Sequence, residues 1–244
     1  TSPAYLFFDM MNGFASPYQT NPFNYNPIRG ILEETVDFKK VSAAGDGFTI
    51  FISATNVETG RVRVFHRQEI TIDVVLASAC LPFMFQAIEV EGQHYWDGGY
   101  MGNPVLSPFK DNSPVDDLMI IQINPIFRDG VPTVAREIMN RVNEISFNSS
   151  LLRELRAIRD LNRLIESGEL SGKKHRLTRV HMIEDRKHMR PLGASSKLNT
   201  EWAFLEHLFD IGRNAACRWL DRHYDDLGVR STLDLDELFA DGGV

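Results

Sequence analysis

The sequence predicts an α/β fold, a three-layer core of sheet between helices, followed by a mainly helical C-terminal part. Three observations carry this reading. Short β-branched runs and helix-patterned segments alternate through the first 130 residues. Leu118-Met119-Ile120-Ile121-Gln122-Ile123-Asn124 is a continuous apolar run, as in a strand of a parallel sheet buried on both faces, and Pro125 stops it. From Val134 onward, apolar residues recur at three- and four-residue steps, the period of an amphipathic helix. The organisation expected is therefore an α/β part over 1–130 and a helical extension over 131–244, packed on it.

Taken in order, Ser16 to Pro27 is dense in Pro, Asn and aromatic residues, so it is not an ordinary helix and is expected to wrap over a groove or a partner surface. A short helix then starts with Asn26 as N-cap and Pro27 at its first position, running to about Phe38. Phe48 to Ala54 and Arg61 to Phe65 read as a hairpin joined at Glu58-Thr59-Gly60. Thr71 to Ala79 follows helix logic, with Thr71 or its neighbour as cap, and Pro82 ends it. Gln86 to Val90 and His94 to Trp96 are two strands around Glu91-Gly92, delivering Asp97 to a strand end. Val134 to Ile165 is one long helix, or two joined near Ser149-Ser150, closed by Gly168 and Gly172. Thr178 to Glu184 alternates as a strand. Thr200 to Tyr224 is a second long helix, whose expected buried face is Trp202, Leu205, Leu208, Phe209, Ala216, Trp219 and Leu220.

A chain of 244 residues that is 43% hydrophobic can bury a full core. Its net charge of -7 argues against a nucleic-acid partner, because phosphate binding needs a basic field. Two local basic clusters, Lys173-Lys174-His175-Arg176 and Arg186-Lys187-His188, have the composition to touch anionic headgroups; the alternative is a solvated helix-strand boundary. Cys80 and Cys217 stand far apart in no metal or redox pattern, which suits a reducing compartment. No apolar run approaches the roughly 18 residues that would span a bilayer, and no signal-peptide pattern opens the chain. The expected location is cytoplasmic, with peripheral membrane contact left open.

The stretch that carries chemistry is Tyr95-Trp96-Asp97-Gly98-Gly99-Tyr100, a carboxylate between an aromatic strand end and two glycines. Upstream lies Val75-Leu76-Ala77-Ser78-Ala79-Cys80-Leu81-Pro82-Phe83-Met84-Phe85, and before it Ser53-Ala54-Thr55-Asn56-Val57-Glu58-Thr59-Gly60 with Val64-Phe65. In this order and spacing the three pieces resemble patatin-like phospholipases: an Ala-Ser-x-Ala-x-Pro-x-x-Phe segment, an Asp-Gly-Gly, and the strand-turn-strand that precedes them. The resemblance covers roughly residues 25 to 125, and the helical C-terminal half is similar to the extension on a bacterial branch of the family. It implies a patatin-like three-layer sheet with flanking helices, and hydrolysis of lipid esters by a Ser-Asp dyad that needs neither histidine nor cofactor. Asp97 would be the base, with Gly98, Gly99 and Asn103 supporting its loop. The chain departs from the family in two respects: the family's Gly-rich oxyanion loop and its nucleophile elbow both lie N-terminal to anything present here. It contains no Gly-x-Ser-x-Gly, the elbow that would carry the nucleophile, so the serine and the oxyanion donors are expected from an N-terminal segment outside this sequence.

The apolar ester substrate is expected against Met10, Met11, Phe14, Tyr18, Phe23 and Tyr25, with closure of the hydrophobic core as the alternative role for these side chains. Glycerophospholipids, lysophospholipids, neutral lipids and aliphatic polyesters all present a suitable carbonyl. Competing designs are weaker. The seven histidines form no His-Glu-x-x-His and no metal-ligand spacing, so no metal is expected. His94 lies three residues before Asp97, which on a strand sends the two side chains to opposite faces. Ser195 and Ser196 lack the elbow's second glycine. Thr1 has the residue type of an N-terminal nucleophile, but Ser2-Pro3 gives no sign of a strand to place it. The second functional reading is a catalytically silent module that keeps the fold and grips apolar chains.

Overall fold

The computed structural model describes residues 15–45, 47–112, 116–171, 175–193, 196 and 199–240. It is a mixed α/β structure with sheets, flanking helices and a long C-terminal helix. The chain divides into two compact units, Thr1–Pro108 and Phe109–Val244. The division falls earlier than the 130/131 boundary expected from the sequence, because the strand at Asp117–Gln122 pairs with a later strand of the second unit.

In the first unit, α1 (Pro17–Thr20) opens the described part and α2 (Pro27–Thr35) follows. The Asn26 side chain accepts from the Ile28 amide at 3.1 Å, as expected of an N-cap, which contributes about 1 kcal/mol. The predicted single helix to Phe38 is two. Val36 turns extended, and Asp37 recaps by accepting from Lys40 N at 3.1 Å to start α3 (Phe38–Ala43). β1 (Phe51–Asn56) and β2 (Val62–His66) form the expected hairpin. Asn56 closes it: its Oδ1 accepts from Thr59 N at 2.8 Å, while Gly60 takes φ +65°, which a side chain there would resist. Thr71 caps α4 (Ile72–Ser78) by accepting from Val74 N.

β3 (Ile88–Val90) and β4 (Gln93–Asp97) then join through Glu91 and Gly92, both at positive φ, the geometry of a two-residue hairpin turn. Together these strands make a four-stranded antiparallel sheet in the order β2-β1-β4-β3. One side of α4, through Val74, Leu76 and Ala77, packs with Ala54, Phe65, Ile88 and Tyr95. Full burial of each large apolar side chain here is worth about 2 kcal/mol. β1 and β4 are the interior strands; β3 pairs with β4 over Gln93–Tyr95, and the carboxyl end of β4, Trp96 and Asp97, pairs with β1. α5 (Ser107–Asn112) runs across the division between the units.

The second unit is built on β5 (Asp117–Gln122) and β6 (Arg179–Glu184), paired in parallel from Asp117↔Arg179 to Gln122↔Glu184. Between them runs α6 (Ala135–Glu166), one unbroken helix of 32 residues. Ser149 and Ser150 do not interrupt it, because each hydroxyl donates to the carbonyl three residues back. α7 (Arg186–Met189), α8 (Trp202–His223) and α9 (Leu235–Leu238) complete the unit. Leu118, Ile120, Leu151, Leu155, Ile158, Val180 and Trp219 are buried.

Two expectations are corrected here. β5 buries Leu118 and Ile120 but exposes Met119 and Ile121, the latter at 74%: its side chains alternate between a covered face and an open one. The buried face of α8 is Ile211, Ala215 and Trp219, set by a four-residue step; Trp219 meets His181 of β6 edge-on at 5.6 Å. Trp202, Leu205, Phe209 and Leu220, expected inside, are exposed.

Candidate active site

Asp97 is the last residue of β4 and the cap of the single 3-10 turn Gly98–Tyr100. Backbone and side chain are both fixed. Its N–H donates to the Cys80 carbonyl at 2.9 Å, and its own carbonyl accepts from the Thr55 hydroxyl at 2.9 Å. Oδ1 accepts from Gly99 N at 2.7 Å, a charge-assisted bond from an amide that cannot swing away. The result is a half-buried carboxylate aimed by a turn.

The two glycines have different duties. A Cβ on Gly98 would lie 2.3 Å from the Ser53 carbonyl oxygen and 2.6 Å from its Oγ, so only glycine lets the turn sit against β1. Gly99 supplies the amide. Asn103, half-buried, follows in the same loop, and its peptide bond to Pro104 is cis.

Tyr100 joins this site, although the sequence reading passed over it. Burial, and secondarily the Asp97 carboxylate, push its phenol above the ordinary tyrosine value. The signal was available in Asp97-Gly98-Gly99-Tyr100: a one-turn helix after a capping Asp holds its third residue close to the cap. Cys80, under the same turn, is buried, donates from Sγ to the Gln86 carbonyl at 3.2 Å and is pushed up to about 11, mainly by burial. It is a packed thiol, not a nucleophile.

The aromatic segment before α2 is tied to the stretch that follows Cys80. Gln86 Nε2 donates to the Asn21 carbonyl at 2.8 Å, and the Tyr18 hydroxyl accepts from Ala87 N at 3.4 Å. Asn21 in turn bridges Tyr25, accepting from its amide and donating to its carbonyl. Phe23 is 95% exposed and Tyr25 71%, so core closure does not account for them. Phe83 and Met101, near Cys80 and Asp97 in sequence, are exposed as well. Thr1, Met10, Met11, Phe14, Lys173, Lys174 and Ser195 lie outside the described residues.

The remaining candidates are engaged elsewhere. His94 stands 4.0 Å from Glu58, and the His66 ring lies against Phe51. Ser196 donates its hydroxyl to the Gly193 carbonyl at 2.7 Å, closing a local turn. In the basic clusters, Arg176 faces Asp116 at 3.3 Å, Arg186 faces Glu184 at 2.7 Å and His188 faces Asp185 at 2.8 Å, which offsets much of their charge.

Residues 9–119 match the family model for patatin-like phospholipase. No curated protein matches the chain. The patatin-like segment takes in the four-stranded sheet, α4 and the Asp97 turn, and the match supports a hydrolase of lipid acyl esters. Among the described residues, no helix is long and apolar enough to cross a membrane.

The second unit holds a polar cluster that sequence reasoning missed. Arg179 grips Asp117 through Nε and Nη2, and His181 Nε2 and the Gly228 amide reach Asp117 Oδ1 at 3.0 and 2.9 Å. His181 Nδ1 lies 3.0 Å from Thr232 Oγ1, with the ring fully buried. The Arg179 hydrogen bonds, helped by Gly228 and His181, hold the Asp117 carboxyl well below the usual carboxylate range against the opposing effect of burial. No local motif announces this cluster, because its hydrogen-bonded partners lie 51 to 111 residues apart.

Proposed function

We propose that this chain carries the base of a Ser-Asp dyad that hydrolyses the carboxylic esters of lipids, with Asp97 as that base. The observation that carries the reading is the Asp97 turn itself, a half-buried carboxylate fixed by Gly99 N at the end of an interior strand, within a segment matched to patatin-like phospholipase. In this mechanism Asp97 takes the proton of a serine hydroxyl as it attacks the ester carbonyl, and returns it to the departing alcohol. Water then attacks the acyl-serine, losing a proton to Asp97, which passes it to the serine oxygen as the acyl–oxygen bond breaks and the free acid leaves. In this reading the serine comes from a Gly-x-Ser-x-Gly elbow and the oxyanion donors from a Gly-rich loop, both in an N-terminal segment outside this sequence.

The exposed Phe23 and Tyr25, tethered through Asn21 to Gln86, supply apolar surface for the acyl chain. The deciding experiment compares complete protein, containing the serine segment, with its Asp97→Asn variant on p-nitrophenyl esters. Asn keeps the shape and the turn but cannot take the proton. Turnover is expected to fall on the order of 100-fold or more, with folding intact. Unchanged turnover in the variant would remove Asp97 from the mechanism and leave the silent lipid-binding module as the reading.

A further inference from the structure

The helix α8 carries two apolar faces and buries one. Ile211, Ala215 and Trp219 are turned into the second unit. Trp202, Leu205, Phe209, Gly212, Ala216 and Leu220 follow one another at steps of three and four residues, which draws a second stripe roughly 110° around the helix from the first. Trp202 is 72% exposed and Phe209 64%, and Leu205, Gly212 and Leu220 are exposed with them. A narrow stripe that alternates steps of three and four has the period of a seam between two helices.

The order of sizes along the stripe decides which helix fits it. The large side chains Trp202, Leu205 and Phe209 occupy its N-terminal half, and Gly212 and Ala216 follow in its C-terminal half. A Cβ on Gly212 would meet nothing within 4 Å, so the space beside it is open. Laid antiparallel on a second copy of itself with Phe209 opposite Gly212, the helix sets Leu205 against Ala216 and Trp202 beside Leu220. Each of these contacts occurs twice about a two-fold axis. A parallel pair would instead stack large on large and small on small. The flanking charges favour the same arrangement. Glu206 and Arg213 stand on one edge of the stripe, and neither forms an ion pair among the described residues; the Arg213 guanidinium lies 6.0 Å from the Phe209 ring of its own helix. In the antiparallel register Glu206 of each copy comes within about two residues, roughly 3 Å of helix rise, of Arg213 on the other.

We propose that α8 docks on α8 of a second copy of this chain, antiparallel, about a two-fold axis that passes between Phe209 and Gly212. The contact stands apart from the Asp97 chemistry, and its test needs neither hydrolysis nor the serine segment. The mass of the full chain is measured by sedimentation equilibrium from low to high micromolar concentration, with circular dichroism to establish that each variant keeps its helices. The parent is expected to dimerise reversibly. Glu206→Arg and Arg213→Glu should each weaken the dimer at least about tenfold, because each places like charges opposite one another twice. The two exchanges combined should return the dissociation constant to within about threefold of the parent. Gly212→Leu should weaken it about 100-fold, since the added side chain takes the space that Phe209 of the second copy fills. A parent that stays monomeric throughout the range overturns the proposal. So does a dimer indifferent to Gly212→Leu, or a combined charge exchange that dimerises no more tightly than the single ones.

Discussion

Two aspartates at strand ends, one in each unit, show how the same side chain serves opposite ends. Asp97 closes β4, and its Oδ1 is held by the amide of its own turn. Asp117 opens β5 and is clasped by Arg179, His181 and the Gly228 amide. The first sits among glycines that keep the space around it narrow on the protein side, with Tyr100 responding to its charge. The second ties β5, β6 and the 228–232 loop into one network. A carboxylate gripped by a bidentate arginine is poorly placed to take up a proton during turnover. One held by a peptide amide keeps that capacity.

The largest effects should separate these roles. Asp97→Asn is expected to cost about 100-fold in turnover of the complete enzyme and little in melting temperature. Asp117→Asn should do the reverse: a loss on the order of 2–3 kcal/mol from leaving Arg179 and His181 short of their acceptor, with turnover per folded molecule unchanged. The pH dependence follows from the sign. Asp117 has its folded-state value depressed, so its stabilisation is complete above the unfolded value of 3.8 and is lost as pH falls from there toward the folded value. Urea midpoints of the parent should therefore drop below pH 4 more steeply than those of Asp117→Asn. Parallel curves would mean that Asp117 contributes nothing through ionisation.

How legible each region was in the sequence follows the same division. The first unit is built from neighbours: the Asn26 and Thr71 caps, the Glu91-Gly92 turn and the Asp97-Gly98-Gly99 run all lie within a few residues of what they control, and each could be read directly. Even the Val36 break between α2 and α3 was within reach, since Asp37 precedes a helical stretch. The second unit depends on distance. The strand that pairs with β5 starts 62 residues away, at Asp117↔Arg179, and whether β5 is covered on one face or two depends on what packs on the sheet, which no local pattern records. The face of α8 expected from the sequence ran through Trp202, Leu205, Phe209 and Leu220, which the structure exposes. Packing of Trp219 on His181 selected the one through Ile211 and Ala215.

A smaller perturbation sharpens what holds Asp97 in place. Gly98→Ala puts a methyl group 2.3 Å from the Ser53 carbonyl oxygen, a backbone atom that cannot rotate aside. The turn must lift off β1, at a cost of roughly 1–3 kcal/mol. Because Asp97 leads into that turn, turnover should fall along with stability. In Asp97→Asn, by contrast, only turnover falls. Melting curves and rates measured on both variants distinguish a displaced base from a missing one. Gly98→Ala with parental stability would mean that the approach to Ser53 is not a constraint.

The smallest effect concerns the aromatic segment, and it asks whether exposure there has a use. Phe23 and Tyr25 are so far out of the core that replacing both with Ala removes little buried surface, and the melting temperature should move by no more than about 1–2 °C. An acyl chain that lies along them in the bound state would lose apolar contact in proportion to its length, at about 0.8 kcal/mol per methylene no longer covered. The double variant should therefore hydrolyse acetate and butyrate esters at the parental rate, while decanoate and longer esters lose several-fold in kcat/KM. The size of the loss should grow with chain length up to the reach of the two rings and then level off. A uniform loss across all chain lengths, accompanied by a clear fall in melting temperature, would instead make the segment a structural strap over the Gln86 loop and place the acyl chain on other surface, with the exposed Phe83 and Met101 as the next side chains to replace.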